Sequence, residues 1–175
     1  MIKSFLGKAP KIDPNTWVAE DANLIGDLEI GAYSSIFFQT TIRADVNYIR
    51  IGEYTNIQDG TVIHVNGRPS HPTLIGSNVT VGHSAVIHGC TIEDSAFVGM
   101  SATLLNGCVI QKHAMVAAGS LVKEGQVVES GTLVAGVPAK VIRPLKEEEI
   151  AFIDRQAKHY WNDIGKHFRE DDSKT

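Results

Sequence analysis

Three histidines lie close together in this chain: His64, and then His83 and His88 within the stretch VGHSAVIHGC. Neutral imidazole is a common ligand of zinc and its neighbours. Three such ligands, with a fourth position left to water, make a catalytic rather than a structural metal site. His83 and His88 are five residues apart, however, and on a flat strand that spacing points them to opposite faces. Whether the three serve one site depends on the elements that carry them.

Those elements follow from a repeat. Aliphatic residues recur every six positions at Ile12, Val18, Leu24, Ile30, Ile36 and Ile42. After a three-residue slip they resume at Ile51, Ile57 and Ile63, and after the insertion VNGRPSHPTL at Ile75, Val81 and Ile87. One residue is then dropped, and the phase runs Ile92, Val98, Leu104, Ile110, Val116 and Val122. A small or β-branched residue usually stands four places after each aliphatic, such as Thr40, Thr55, Thr61 and Ser120. Glycine often follows the aliphatic directly, as at Gly31, Gly52, Gly76, Gly82 and Gly99. This is a hexapeptide β-helix pattern. Three hexapeptides close a triangular coil, and coils stack as parallel strands about 4.8 Å apart. The fold class is therefore all-β, a parallel β-helix of hexapeptide repeats with a C-terminal α-helix.

The repeat fades at VAGVPAKVIRP, where Pro138 and Pro144 mark a break. Residues 1–145 are expected to form the β-helix. Residues 146–170 are expected to form an amphipathic helix with Ile150, Ile153, Ala157, Tyr160, Trp161, Ile164 and Phe168 on one face. Glu147, Glu148 and Glu149 suit its first turn. The helix should pack back on the β-helix of its own subunit or of a neighbour, and cover the outward Trp17, Phe37 and Phe38 unless an interface does so. The tail REDDSKT is expected to fray.

The repeat also places the histidines. His64 follows Ile63 and His88 follows Ile87, so both occupy the same outward slot of the third face, one coil apart. That spacing suits two imidazoles converging on one ion. His83 follows Gly82 on the second face, around a corner. Three prisms set about a three-fold axis would bring one chain's His64 and His88 against the next chain's His83, giving one metal per interface. The other histidines, His71, His113, His159 and His167, read as solvated, with His71 in the insertion near enough for an outer role. Cys90 and Cys108 fall near the same inward corner and read as buried thiols.

Composition narrows the partners. The 175 residues carry a net charge of −4 with no basic stripe, which argues against nucleic acid and against an anionic membrane surface. The N-terminal MIKSFLGKAPKID lacks the apolar core of a signal peptide, and two cysteines make no disulfide framework, so a cytoplasmic location is the expectation.

The segments TIRADVNYIRIGEYTNIQDGTVIHV, VGHSAVIHGC and GVPAKVIRPL resemble the gamma-class carbonic anhydrases. The resemblance implies a homotrimer of left-handed β-helices with zinc (Zn2+), or ferrous iron (Fe2+) or cobalt (Co2+), at the subunit interface. It makes His64, His83 and His88 the ligands, Gln58 and Asn56 active-site amides, and Arg43 a bicarbonate contact. Asp45 and Asp59 become interface acids, Tyr160 a tyrosine over the pocket, and Asn162 a weaker match to a substrate-contacting residue. The residues agree in type. Arg43 follows Ile42 in a third-face slot one coil below His64, and arginine clamps planar oxyanions. Gln58 follows Ile57 on the second face, like His83 one coil on.

The activity so implied is reversible hydration of carbon dioxide, a small-molecule substrate, by a metal-bound hydroxide. The chain departs from well-characterised members at the proton shuttle: it has Val46 where they carry a glutamate, and its insertion holds no acid. Hydration is therefore expected to be weak. The alternatives are a metal-dependent thioesterase on coenzyme A thioesters, a non-enzymatic metal-binding trimer, and a hexapeptide acyltransferase.

Overall fold

Every aliphatic of the repeat becomes the inward residue of a short strand, and stacking those residues coil upon coil makes one continuous core. Ile36, Ile42, Ile57, Ile63, Val81, Ile87, Val98 and Leu104 are all fully buried. In the computed structural model, which describes residues 1–172, the chain winds into a left-handed parallel β-helix of about seven turns followed by a C-terminal helix. The first and third faces form one 12-stranded sheet, because strands Asn23–Ile30 and Thr41–Ile51 run unbroken around the corner between them. The second face forms an 8-stranded sheet. The phase slips do not disturb the stacking: Ile42 pairs with Ile63, Ile63 with Ile87 and Ile87 with Leu104 on the third face.

The small residues and glycines have separate reasons. Ser34, Thr40, Thr55 and Thr61 are buried corner residues whose hydroxyls donate to carbonyls of the next coil, at Gly52 (2.9 Å), Gln58 (3.2 Å), Gly76 (2.8 Å) and Gly82 (3.1 Å). Each buried hydroxyl is thus satisfied, and each corner is tied to the one above. The glycines after the aliphatics sit where coils approach most closely. A Cβ on Gly99 would lie 2.5 Å from the Ala118 nitrogen.

The insertion leaves the β-helix at the corner between the third and first faces. Asn66 and His71 pair their backbones across it in both directions, at 3.0 and 2.9 Å, and strand Thr73–Ile75 restores the coil. Cys90 and Cys108 are free and buried in successive coils, with Thr91 opposite Val109. The neighbouring Cys108 thiol and burial push the Cys90 thiol upward, so it behaves as a packing group.

The helix packs on its own chain. Its first part, α1 (Glu147–His159), is followed by a π turn at Tyr160–Ile164 and by α2 (Gly165–Asp172). Trp17 stacks on Phe168 with ring centroids 5.1 Å apart, and Phe37 and Phe38 meet the same ring edge-on. His113 is not merely solvated, since its Nε2 lies 3.0 Å from Asp154 Oδ1 and helps hold α1 down. The π turn corrects the expected helical face. Its extra residue advances the register, so Gly165 turns inward and Ile164 is left 38% exposed. A Cβ on Gly165 would lie 3.5 Å from Ser35 Oγ on the β-helix and 2.6 Å from the Tyr160 carbonyl oxygen. The expected fraying of the tail falls partly on residues 173–175, which lie outside the described residues; 169–172 are helical.

Arg143 clamps the start of α1 through both carboxylate oxygens of Glu149, at 2.7 and 2.8 Å. That contact, with the Lys146 N–H, holds the Glu149 carboxyl down at about 2 against an ordinary 4.5. A carboxyl depressed on folding adds stability above its unfolded value and loses it as pH falls through its folded value. Docking of α1 should therefore weaken between about pH 4.5 and 2. Both tryptophans, Trp17 and Trp161, lie in the helix contact, so their fluorescence reports it. The gap between wild type and Glu149→Gln should close over that window, and parallel acid curves would refute the assignment.

Candidate metal centre

His64 and His88 end their third-face strands directly opposite each other. Thr73 fixes this pairing where the insertion rejoins the coil: its buried hydroxyl donates to the His64 carbonyl (2.6 Å) and accepts from the Gly89 N–H (3.0 Å). The ring nitrogens that face each other, His64 Nδ1 and His88 Nε2, are 3.0 Å apart. Each ring's other nitrogen is engaged outward. His64 Nε2 lies 2.9 Å from Asp45 Oδ1, and His88 Nδ1 lies 2.7 Å from Asn106 Oδ1.

These partners determine what the facing nitrogens can be. A carboxylate accepts only, so in its neutral form the His64 ring carries its proton on Nε2 and leaves Nδ1 bare. An amide oxygen likewise accepts, so His88 carries its proton on Nδ1 and leaves Nε2 bare. Two lone pairs then point at each other across 3.0 Å. They repel unless a cation lies between them. A tetrahedral metal with ligand bonds of about 2.0–2.1 Å spaces its nitrogens about 3.3 Å apart, close to this arrangement. The outward bonds are those that orient metal-binding histidines. This donor set fits a divalent metal.

The local charges support a neutral His64 ring. Burial lowers the His64 imidazole below its ordinary value, Arg43 and His88 add to this, and Asp45 opposes it. Burial would raise the Asp45 carboxyl, but hydrogen bonds from His64 and the Val46 N–H, with Arg43 nearby, leave it below its ordinary value. Arg43 pairs directly with Asp45 Oδ2.

His83 stands apart, at the corner where the second face turns into the third. Its Nδ1 lies 2.7 Å from Asp59 Oδ2, and both side chains are nearly half exposed. Buried beside it are Asn56 and Gln58. Asn56 Nδ2 donates to Thr80 Oγ1 (2.9 Å), and Asn56 Oδ1 accepts from Gln58 Nε2 (3.1 Å). The Tyr160 hydroxyl, raised by burial and by Asp59, hydrogen-bonds Gln156 and Gln58. Asn162 is exposed on the π turn. A cavity of about 350 Å³ opens here, and its lining includes Gln58, His83 and Tyr160 together with Phe97, Met100 and Met115.

One chain thus carries two clusters. Asp45, Arg43, His64 and His88 share the end of the third face; Asn56, Gln58, Asp59, His83 and Tyr160 share the opposite corner. Among the described residues, no group of three histidine, cysteine or acidic side chains comes together in a metal-holding arrangement within the single chain. Sequence reasoning passed over Asn106, Glu124 and Thr73. The first two were accessible from the repeat, since Asn106 follows His88 by 18 residues and Glu124 follows Asn106 by 18. Thr73 had no such signal, because the insertion obscures its phase.

No family model matches the chain. It is 54% identical over 160 residues to Gamma carbonic anhydrase 2, mitochondrial, of Arabidopsis thaliana, covering 89% of this chain and 57% of the plant protein. The chain therefore spans little more than half the length of that relative. It is 55% identical over 149 residues to the protein named Probable carbonic anhydrase from Methanocaldococcus jannaschii, covering 85% of this chain and 92% of the archaeal one. Among solved structures, a hexapeptide transferase family protein from Anaplasma phagocytophilum superposes with a TM-score of 0.87 at 42% identity, over 91% of this chain and 93% of that one. Among the described residues, no helix is long and apolar enough to cross a membrane.

Proposed function

The chain belongs to the gamma-class carbonic anhydrase family, and from that premise we propose that it hydrates carbon dioxide reversibly at a metal site completed between two subunits of a homotrimer. The observation that carries this reading is the pair of ring nitrogens of His64 and His88 that face each other at 3.0 Å, each ring held by an outward hydrogen bond. Their third ligand would be His83 of the adjoining subunit, since within the chain His83 belongs to the other cluster.

A divalent zinc, iron or cobalt ion held by these histidines would supply the Lewis acidity that makes water a nucleophile near neutral pH. The remaining chemistry falls to the chain's own side chains. Thr80 fixes the Asn56 amide, and Asn56 in turn fixes the Gln58 amide, so Gln58 meets the reacting water in one orientation. Arg43, steadied by Asp45, places a guanidinium where bicarbonate forms. Tyr160 closes the site over Gln58 and excludes bulk water. We assign the work to a reducing compartment such as the cytoplasm, in keeping with the free Cys90 and Cys108 thiols.

Proton export is the weak step in this reading. Val46, 60% exposed beside Asp45, offers no acid where a shuttle is wanted. Hydration should therefore rise with buffer concentration, and Val46→Glu should raise the low-buffer rate toward the 100-fold range of general acid–base catalysis. A rate independent of buffer would show that a proton carrier already exists.

Stopped-flow hydration on metal-quantified protein tests the function. Turnover that scales with bound metal supports it; bound metal without turnover refutes it. The cavity of about 350 Å³ favours a second reading, because carbon dioxide needs far less room and the wall of Phe97, Met100 and Met115 suits an acyl chain. That reading is metal-dependent hydrolysis of a thioester, and acyl-coenzyme A release on the same samples distinguishes it. Acyl transfer, suggested by the transferase name of the solved neighbour, would proceed without metal.

A further inference from the structure

The column of polar side chains at the third-face corner does not end at the histidines. It runs from Asp45 through His64 and His88 to Asn106, and Asn106 Nδ2 donates onward to Glu124 Oε1 at 3.3 Å. His88, Asn106 and Glu124 are each separated by 18 residues, so they occupy one position in three successive coils. Gly89, Gly107 and Gly125, each at positive φ, turn the chain at the same corner in those coils. The column is therefore built into the repeat.

We propose that Glu124 is a positioning residue for the metal centre, selecting through Asn106 which nitrogen of His88 is free to bind. An asparagine amide can sit either way round, and the two orientations have opposite effects on His88. With Oδ1 toward the ring, His88 must carry its proton on Nδ1, and Nε2 is bare. With the amide reversed, the NH2 group faces the ring, and Nδ1 must accept. The proton then moves to Nε2, which blocks the nitrogen facing His64. Among the described residues, Glu124 is the other hydrogen-bond partner of the Asn106 side chain, and it breaks this symmetry. Its carboxylate has no proton to donate, so it accepts from Nδ2 and holds Oδ1 toward His88. A glutamine at 124 can donate or accept, and tolerates both orientations. The bond is exposed, so its effect is graded, toward the low end of what outer partners of metal ligands contribute, about 10-fold in metal affinity.

The inference rests on His88 being a metal ligand, and the test separates the two. The first measurement is nitrogen–hydrogen NMR of the histidine rings in metal-free full-length protein, at a pH where they are neutral. Wild type should show the His88 proton on Nδ1, and Glu124→Gln should shift part of the population to Nε2. The second is competitive cobalt and zinc titration, in which Glu124→Gln should bind about 10-fold more weakly while its thermal midpoint stays near wild type. The third is the same substitution in an Asn106→Asp background. There a carboxylate faces His88 directly and accepts whatever stands at 124, so Glu124→Gln should change neither readout. An unchanged tautomer in Glu124→Gln, or an equal effect in the Asn106→Asp background, overturns the proposal. If wild type bound no metal, the metal reading would fall, while the NMR comparison would still decide the role of Glu124.

Discussion

His88→Ala should abolish metal binding and lower carbon dioxide hydration by more than about 100-fold, beyond the 10–100-fold typical of partners outside the ligand set. The substitution removes one of the two nitrogens that face each other at 3.0 Å and leaves His64 Nδ1 as the chain's only ligand at that position. The fold should survive. Ile87 in this coil and Leu104 in the next carry the core and remain buried, while His88 itself is only half-buried. The structural cost is the bond to Asn106, about 1 kcal/mol. Metal analysis, hydration and thermal melting on one sample separate lost ligation from lost folding. A variant that keeps metal and turnover would place the chemistry elsewhere.

The second large effect concerns mixtures. His83→Ala alone should be as inactive as His88→Ala, although His83 lies in the other cluster, paired with Asp59. Refolding the two inactive variants together should nonetheless restore activity. In a mixed trimer, a chain lacking His83 still offers His64 and His88, and its neighbour lacking His88 still offers His83. With equal amounts and random assembly about one quarter of interfaces are complete, so metal content and hydration should recover to about a quarter of wild type. A site contained within one chain cannot be restored in this way, and an inactive mixture of well-folded trimers would argue for it.

Much of this was legible in the sequence because a β-helix turns spacing into position. Once Ile63 and Ile87 are placed in the third face, His64 and His88 have to be neighbours, and register fixes them opposite each other. The same logic puts Arg43 beneath them and His83 around the corner. What periodicity cannot supply is the side-chain chemistry of exposed slots. Asn106 and Glu124 look like ordinary surface polar residues until Asn106 is seen bonded to His88. The insertion hides phase, so neither Thr73 nor the position of His71 could be read. In the structure, His71 packs over Gly107 and lines a surface cavity with Asn106 and Glu124. The π turn was invisible for a different reason: a 3.6-residue pattern fits the helix on both sides of it. Only the structure shows that Gly165 is the residue that faces the β-helix there, with Ser35 opposite it.

The shared site underlies both metal-dependent readings of this chain, so the most direct measurement is a crystal structure of zinc-loaded protein with anomalous data collected at the zinc edge. The account predicts one anomalous peak per interface, about 2.0–2.1 Å from nitrogens of His64 and His88 of one chain and of the partner subunit's His83. Zinc held by one chain alone, or a peak away from these three histidines, would contradict it.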